Sequence, residues 1–397
     1  MLTLSGLITS LCMGITILVG EKIGANKIDE GNRIVGSGTL LFLVIGSILA
    51  LMVAIFAEGL AKIMHAPLEA FDMTVDYIRI CGIGIIALMG YNLIGSIFRG
   101  IGDSKTPLIT VAIACVVNIT IDLILIGILD MGSFGAAIAT VFAQVVSVIA
   151  SLIIIQRKNV SVHITRDTIH WDKTINRKIL KLGTPLALQD LLVGISFLII
   201  LSIVNSLGLI ASAGVGVAEK VCGFIMLVPM AFMSSMAAYV AQNRGAGEIS
   251  RAYKGLKYAI ATSTTFGIIM FFLTFFWGDY LIGAFTSDNT VIAAGYDYLK
   301  AYSIDCLFTC FLFCFIGFFN GMERTRFVMI QGIVGAFFIR IPISLVMSRL
   351  VPVSLFKIGL ATPFATIGQI LMCFLCLYFI RKGKGIEIRK KDITVEA

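Results

Sequence analysis

The chain has 397 residues, of which 58% are hydrophobic and only 14% charged, where a soluble domain averages about 25% charged. So few polar side chains cannot cover a water-facing surface, which excludes a soluble enzyme, a disordered chain, a collagen and a nucleic-acid-binding module, and leaves a polytopic membrane protein. The formal net charge of +8 then reads as topology, because cytoplasmic loops of membrane proteins accumulate Lys and Arg.

A membrane helix needs about 20 mostly apolar residues. In chain order such runs cover 2–24, 34–57, 73–98, 106–128, 133–156, 181–206, 209–241, 255–277, 293–319, 327–348 and 355–380. A β-barrel would show short alternating segments instead. The expected fold class is therefore all-α and polytopic, with eleven spans. The basic residues set the orientation. Of 31 Lys and Arg, 24 fall in one alternating set of loops and the C-terminal tail, against Lys62, Arg349 and Lys357 in the other set. The first set is expected to face the cytoplasm, and the C-terminus with it. Arg79, Lys220, Lys300 and Arg340 fall within spans. No basic segment precedes the first apolar run, so no cleavable signal peptide is expected.

The nine cysteines lie inside apolar stretches and the three histidines between them. No zinc or disulfide spacing appears, so no metal and no cofactor is expected. Cys306, Cys310 and Cys314 form a stripe at helical spacing, which reads as packed thiols.

An offset of 221 residues aligns two halves of the chain from Val19 to Lys105 without gaps. It pairs Gly24 with Gly245, Asp76 with Asp297, Tyr77 with Tyr298, Phe98 with Phe319 and Gly100 with Gly321. Six spans separate the copies, so both have the same orientation and form parallel repeats. Two such lobes are a transporter architecture, with alternating access by one bundle rocking against the other. The expected limits are 1–157 for the N-lobe, 158–180 for a cytoplasmic linker, 181–381 for the C-lobe and 382–397 for a cytoplasmic tail. Residues 178–221 have no counterpart in the first copy. The first copy is thus expected to lack its opening helix and part of the next, giving eleven spans of twelve; a genuine eleven-helix protein is the alternative.

Five motifs carry a resemblance: FRGIGDSKTP at 98–107, NITID at 118–122, FGAAIATVFAQ at 134–144, KLGTPLAL at 181–188 and AQNRGAGEISRA at 241–252. Their order and placement resemble the multidrug and toxic compound extrusion (MATE) transporters. The resemblance implies two six-helix lobes and antiport of organic cations and drugs against Na+ or H+.

An ionisable side chain inside the membrane is costly and is by default a functional candidate. Asp122 lies mid-span, with Asn118 four residues earlier on the same helix face. A carboxylate beside an amide offers hard oxygen ligands for a small cation; the same carboxylate could take a proton. Thr140 lies in the next helix. Asn118, Asp122 and Thr140 resemble the family's N-lobe cation site, which also takes a carboxylate from the first helix. A plain structural role for Asp122 stays open. Gln144, Gln189, Asp190, Lys220, Asp305 and Arg340 are further cavity or coupling candidates. Asp190 and Asp305 are expected to pair with Arg340 or Lys220, since intramembrane charges usually pair. Under the offset Asn118 meets Ile339 and Asp122 meets Ile343, so a cation site in one lobe only is the simplest reading. Pro342 is expected to bend its helix.

The leading function is a multidrug efflux antiporter in the plasma membrane, working as a monomer in the lipid bilayer without nucleic-acid partners. A flippase for lipid-linked sugars from a related superfamily is the alternative; it would need a strongly cationic cavity. A membrane-embedded enzyme is the remote one, because no nucleophile–base pair or H-E-x-x-H motif is present.

Overall fold

The computed structural model describes residues 2–63, 67–157 and 168–395. The described residues are helical throughout, with no strand among them. The helices are α1 (Leu2–Gly24), α2 (Ile28–Ile55), α3 (Ala57–Ile63), α4 (Phe71–Ile83), α5 (Ile85–Ile101), α6 (Lys105–Asp122), α7 (Gly132–Arg157) and α8 (Lys173–Asn205). They continue with α9 (Leu209–Ile225), α10 (Leu227–Gly245), α11 (Ile249–Gly283), α12 (Asn289–Gly321), α13 (Thr325–Ile333), α14 (Ile341–Arg349), α15 (Leu355–Gly359) and α16 (Ala361–Val395). Two π-helical segments, Leu123–Ile128 and Val334–Arg340, follow α6 and α13 directly.

Among the described residues, ten stretches are long and apolar enough to cross a membrane, and an eleventh is the pair Leu68–Ile83 and Ile85–Ile101, bent by 44°. The expected unbroken span at 73–98 is thus two helices. The break falls at Gly84, and Gly82 precedes it; glycine gives a helix interior little intrinsic support. Pro342 sits two residues past the end of the second π segment, in the first turn of α14. Its ring excludes the carbonyl of Phe338 four residues back and it donates no hydrogen bond, so the wider π turn takes up the mismatch. The expected start of the tail at 382 is no helix end, because α16 runs on to Val395; no proline follows Pro363 to stop it.

The repeat is visible in the turns. Asn26 and Gly247, 221 apart, have φ of 58° and 78°, and Gly102 and Glu323, also 221 apart, have φ of 94° and 58°. Left-handed backbone is uncommon outside glycine, so its recurrence at matched positions is a structural signature of duplication.

The chain divides into two compact units, Met1–Ala187 with Ala238–Ile249, and Leu188–Ala237 with Ser250–Ala397. These limits fall inside α8, α10 and α11. Of the expected linker, 158–167 lie outside the described residues. Its end is anchored in the first unit: Ser37 Oγ accepts from the Asp172 amide at 2.9 Å and donates to Asn176 Oδ1 at 2.9 Å. Asp172 in turn caps α8, accepting from the amides of Thr174 and Ile175 at 2.7 and 3.0 Å. These bonds hold its carboxyl below the usual carboxylate range, the Ile175 amide first.

In the first unit α1 packs on α5, and α6 on α7. In the second, α12 carries apolar side chains on every face beside Asp297, Lys300 and Asp305, as suits a helix in the centre of a bundle. Its span is 72% buried, whereas none of the best window of α6 is. The second unit's core gathers Ile200, Val204, Val215, Cys222, Tyr298 and Leu299.

Asp288 caps the start of α12, with Oδ1 accepting from the Thr290 amide at 2.8 Å. Thr290's hydroxyl is the largest influence holding this carboxyl below its usual range, followed by the Thr290 amide. A depressed acid stabilises above its unfolded pKa and loses that contribution as pH falls through its folded value. Asp288→Ala is therefore expected to lower the melting temperature at pH 7. The gap should begin to narrow as pH falls through the ordinary carboxylate range and close only beneath the group's depressed folded value. Thermal melts of both proteins across pH check this; a gap that persists in acid would place the effect elsewhere than the charge.

Candidate functional site

In the first unit, helical spacing sets Asn118 and Asp122 one turn apart on α6. Both are half-buried. Asn118 Nδ2 and Asp122 Oδ1 are themselves buried and have no hydrogen-bond partner among the described residues. Asp122 is the last residue of α6 before the π segment, a helix irregularity often found at functional sites. Tyr77 of α4 lies within electrostatic reach of its carboxylate.

Helix α7 packs against both α6 and the π segment and carries Thr140 and Gln144 one turn apart. Thr140 donates its hydroxyl to Ala136 O of its own helix at 2.9 Å. The structure does not bring it into hydrogen-bond contact with Asp122, although its lone pairs are available to a cation. Gln144 Oε1 is buried and has no protein partner. The partnerless oxygens are Asp122 Oδ1 on α6 and Gln144 Oε1 on α7; the partnerless atom of Asn118 is a donor nitrogen, so a cation would use its Oδ1.

The second unit holds a more deeply buried centre. Asp305, on α12, is 1% exposed and Arg340, at the end of the second π segment, 7%. The expected direct pairing of Asp305 with Arg340 or Lys220 is not what the structure has. Thr309 donates to Asp305 Oδ2 at 2.6 Å, and the Thr366 side chain of α16 lies within bonding reach. The Thr309 hydroxyl comes from one turn along α12 and the Thr366 side chain from a different helix, α16, so the carboxylate is met by hydroxyls rather than by a base. Arg340 turns elsewhere, donating from Nη1 to Ser196 Oγ at 3.4 Å with its guanidinium 4.5 Å over the Phe197 ring. Lys220 and Asp190 are exposed. Gln189 packs against Gly332 of α13, with its Oε1 buried and unbonded.

Thr309, Thr366 and Ser196 escaped the sequence reading, and Tyr77 entered it only as a repeat position, not as a neighbour of Asp122. Hydroxyls inside apolar runs are common and carry no charge signal; only their distance in space to Asp305, Arg340 or Asp122 marks them. A repeat-based argument also misses Asp305, because the offset sets it against Gly84, where the first copy breaks its helix.

A family model described as MatE matches residues 1–124 and 185–346. The "Probable multidrug resistance protein YoeA" of Bacillus subtilis (strain 168) is 22% identical over 391 residues, 94% of this chain and 82% of that protein. The "Probable multidrug resistance protein YpnP" of the same strain is 30% identical over 282 residues, 70% of this chain and 61% of that protein. A crystal structure of a MATE protein in complex with MaL6 has a TM-score of 0.91 at 18% identity, covering 96% of this chain and 86% of that one. At that identity the likeness establishes the fold.

Proposed function

Because this chain belongs to the MatE family, we propose that it is a multidrug efflux antiporter. It exports amphipathic organic cations in exchange for Na+ or H+ by alternating access, in the plasma membrane and with its C-terminus in the cytoplasm. The observation that carries the coupling is the Asn118–Asp122 pair, partnerless polar atoms on an otherwise apolar, little-buried helix. A carboxylate placed so is costly unless a cation or proton neutralises it. Thr140 and Gln144 supply further oxygens from α7.

The four in-span bases favour this reading over a flippase, which needs them gathered. Arg79 reaches the exposed Glu58 at 3.5 Å, Lys300 lies 4.1 Å from the centre of the Tyr296 ring, and Arg340 is buried against Phe197. These three are engaged separately, and Lys220 is exposed. Vesicles containing the purified protein, with Na+ and H+ gradients imposed one at a time, are expected to export a fluorescent organic cation under one of them. Movement of lipid-linked pyrophosphates with no transport of organic cations under either gradient would decide for the flippase.

A further inference from the structure

The second unit buries an acid and a base that do not meet. Thr309 occupies Asp305 Oδ2, while Oδ1 has no protein partner. Arg340 rests on Ser196 and Phe197 and leaves Nε unbonded. The two charges act on each other electrostatically, yet form no ion pair. Opposite charges in a low-dielectric interior attract strongly, so holding them apart needs a scaffold with somewhere else to put the guanidinium. The cation–π perch on Phe197 is that place.

The backbone also provides a way between the two positions. Arg340 is the last residue of the π segment Val334–Arg340. A π turn carries an extra residue, and returning it to α geometry turns one side of the helix by roughly 100°. Pro342 weakens the hydrogen bonding that would otherwise lock the α form. Helix α12, which carries Asp305, is continuous and enclosed and offers a fixed mark.

We propose that Arg340 is a tethered competitor for a monovalent cation at Asp305. In one state of the protein the guanidinium closes on the carboxylate and excludes an external cation. In the other, the arrangement seen here, it is withdrawn onto Ser196 and Phe197, and Oδ1 is buried without a partner, left to take Na+ or a proton. Binding of the cation then favours the withdrawn state, because only differential affinity shifts a conformational equilibrium. This rests on the antiport reading, to which it adds a coupling residue in the second unit. The groups within reach of Asp305 are Tyr298, Tyr302, Cys306 and Cys310 on its own helix, Cys222 on α9 and Thr366 on α16. Arg340 is the one cation acting on it among the described residues.

The test is equilibrium binding to the purified protein without drug, so a protein that moves no drug still reports. Radioactive Na+ is measured at fixed pH, and proton uptake with an indicator dye at fixed Na+. Arg340→Gln removes the competitor and should raise affinity for one of the two cations about tenfold or more, whereas Arg340→Lys should stay near wild type. Adding Asp305→Asn to Arg340→Gln should abolish the gain. Phe197→Leu, which keeps both charges, removes the perch and should weaken cation binding several-fold; it serves even if Arg340→Gln does not fold. Affinity unchanged in both Arg340→Gln and Phe197→Leu, or a gain that survives Asp305→Asn, overturns the proposal. Loss of efflux without these changes would instead count against the antiport reading alone.

Discussion

Asp122→Asn is expected to abolish cation-driven accumulation of substrate against its gradient while leaving the protein folded. The substitution keeps the size of the side chain and removes its charge. A monovalent cation about 4 Å from a carboxylate gains roughly 4 kcal/mol at an effective dielectric of about 20. Losing that is on the order of a thousandfold in affinity. A proton fares worse, since an amide cannot take it up at all. Asn118→Ala removes a neutral ligand and should weaken coupling more mildly, by about tenfold, in line with about 1–1.5 kcal/mol for one neutral contact. Melting temperature should change little, because α6 buries little of its surface. Gradient-driven efflux with matched expression is the measurement. Transport by Asp122→Asn equal to wild type would make Asp122 structural and leave Asp305 as the leading coupling acid.

Gly245→Val is expected to destabilise the first unit by about 1–3 kcal/mol, the usual cost of overpacking. There the C-terminal ends of α1 and α10 cross in backbone contact. A Cβ on Gly245 would strike the Glu21 carbonyl, and one on Gly24 the Gln242 carbonyl. The crossing is symmetric in repeat terms, since Gly24 and Gly245 are 221 apart and so are Glu21 and Gln242. An Arg244–Glu21 ion pair and a bond from Gln242 Nε2 to Gly100 O at 2.8 Å hold it. The obstructing atoms are backbone and cannot swing away, so even Ala should be harmful. Gly216→Ala is the control: its Cβ would meet nothing within 4 Å, and Ala favours a helix by about 1 kcal/mol over Gly. Thermal melts of the three variants give the ordering. A Gly245→Val protein as stable as wild type would mean the two helices do not approach this closely.

The sequence by itself determined the class, the number of spans, the duplication and the candidate charges of this protein. Each depends on local quantities: length of apolar runs, alternation of Lys and Arg, and residue identity at an offset of 221. Hydropathy cannot see where a helix bends, so the break at Gly84 and the two π segments came only with the structure. Helix spacing sufficed to set Asn118 beside Asp122, because that pair lies on one helix. It could not say whether Thr140 faces them, since that depends on the rotation of α7 about its own axis. The same limit hid the surroundings of Asp305. Its helix is mostly apolar and enclosed, and neighbours 35 to 109 residues away in the chain, Arg340 and Ser196 among them, define its surroundings. Charge alone suggested a salt bridge between Asp305 and Arg340. Tertiary packing decided otherwise, by giving the acid one hydroxyl from its own helix and one from α16, and the base an aromatic face, so that each is partly satisfied where it stands.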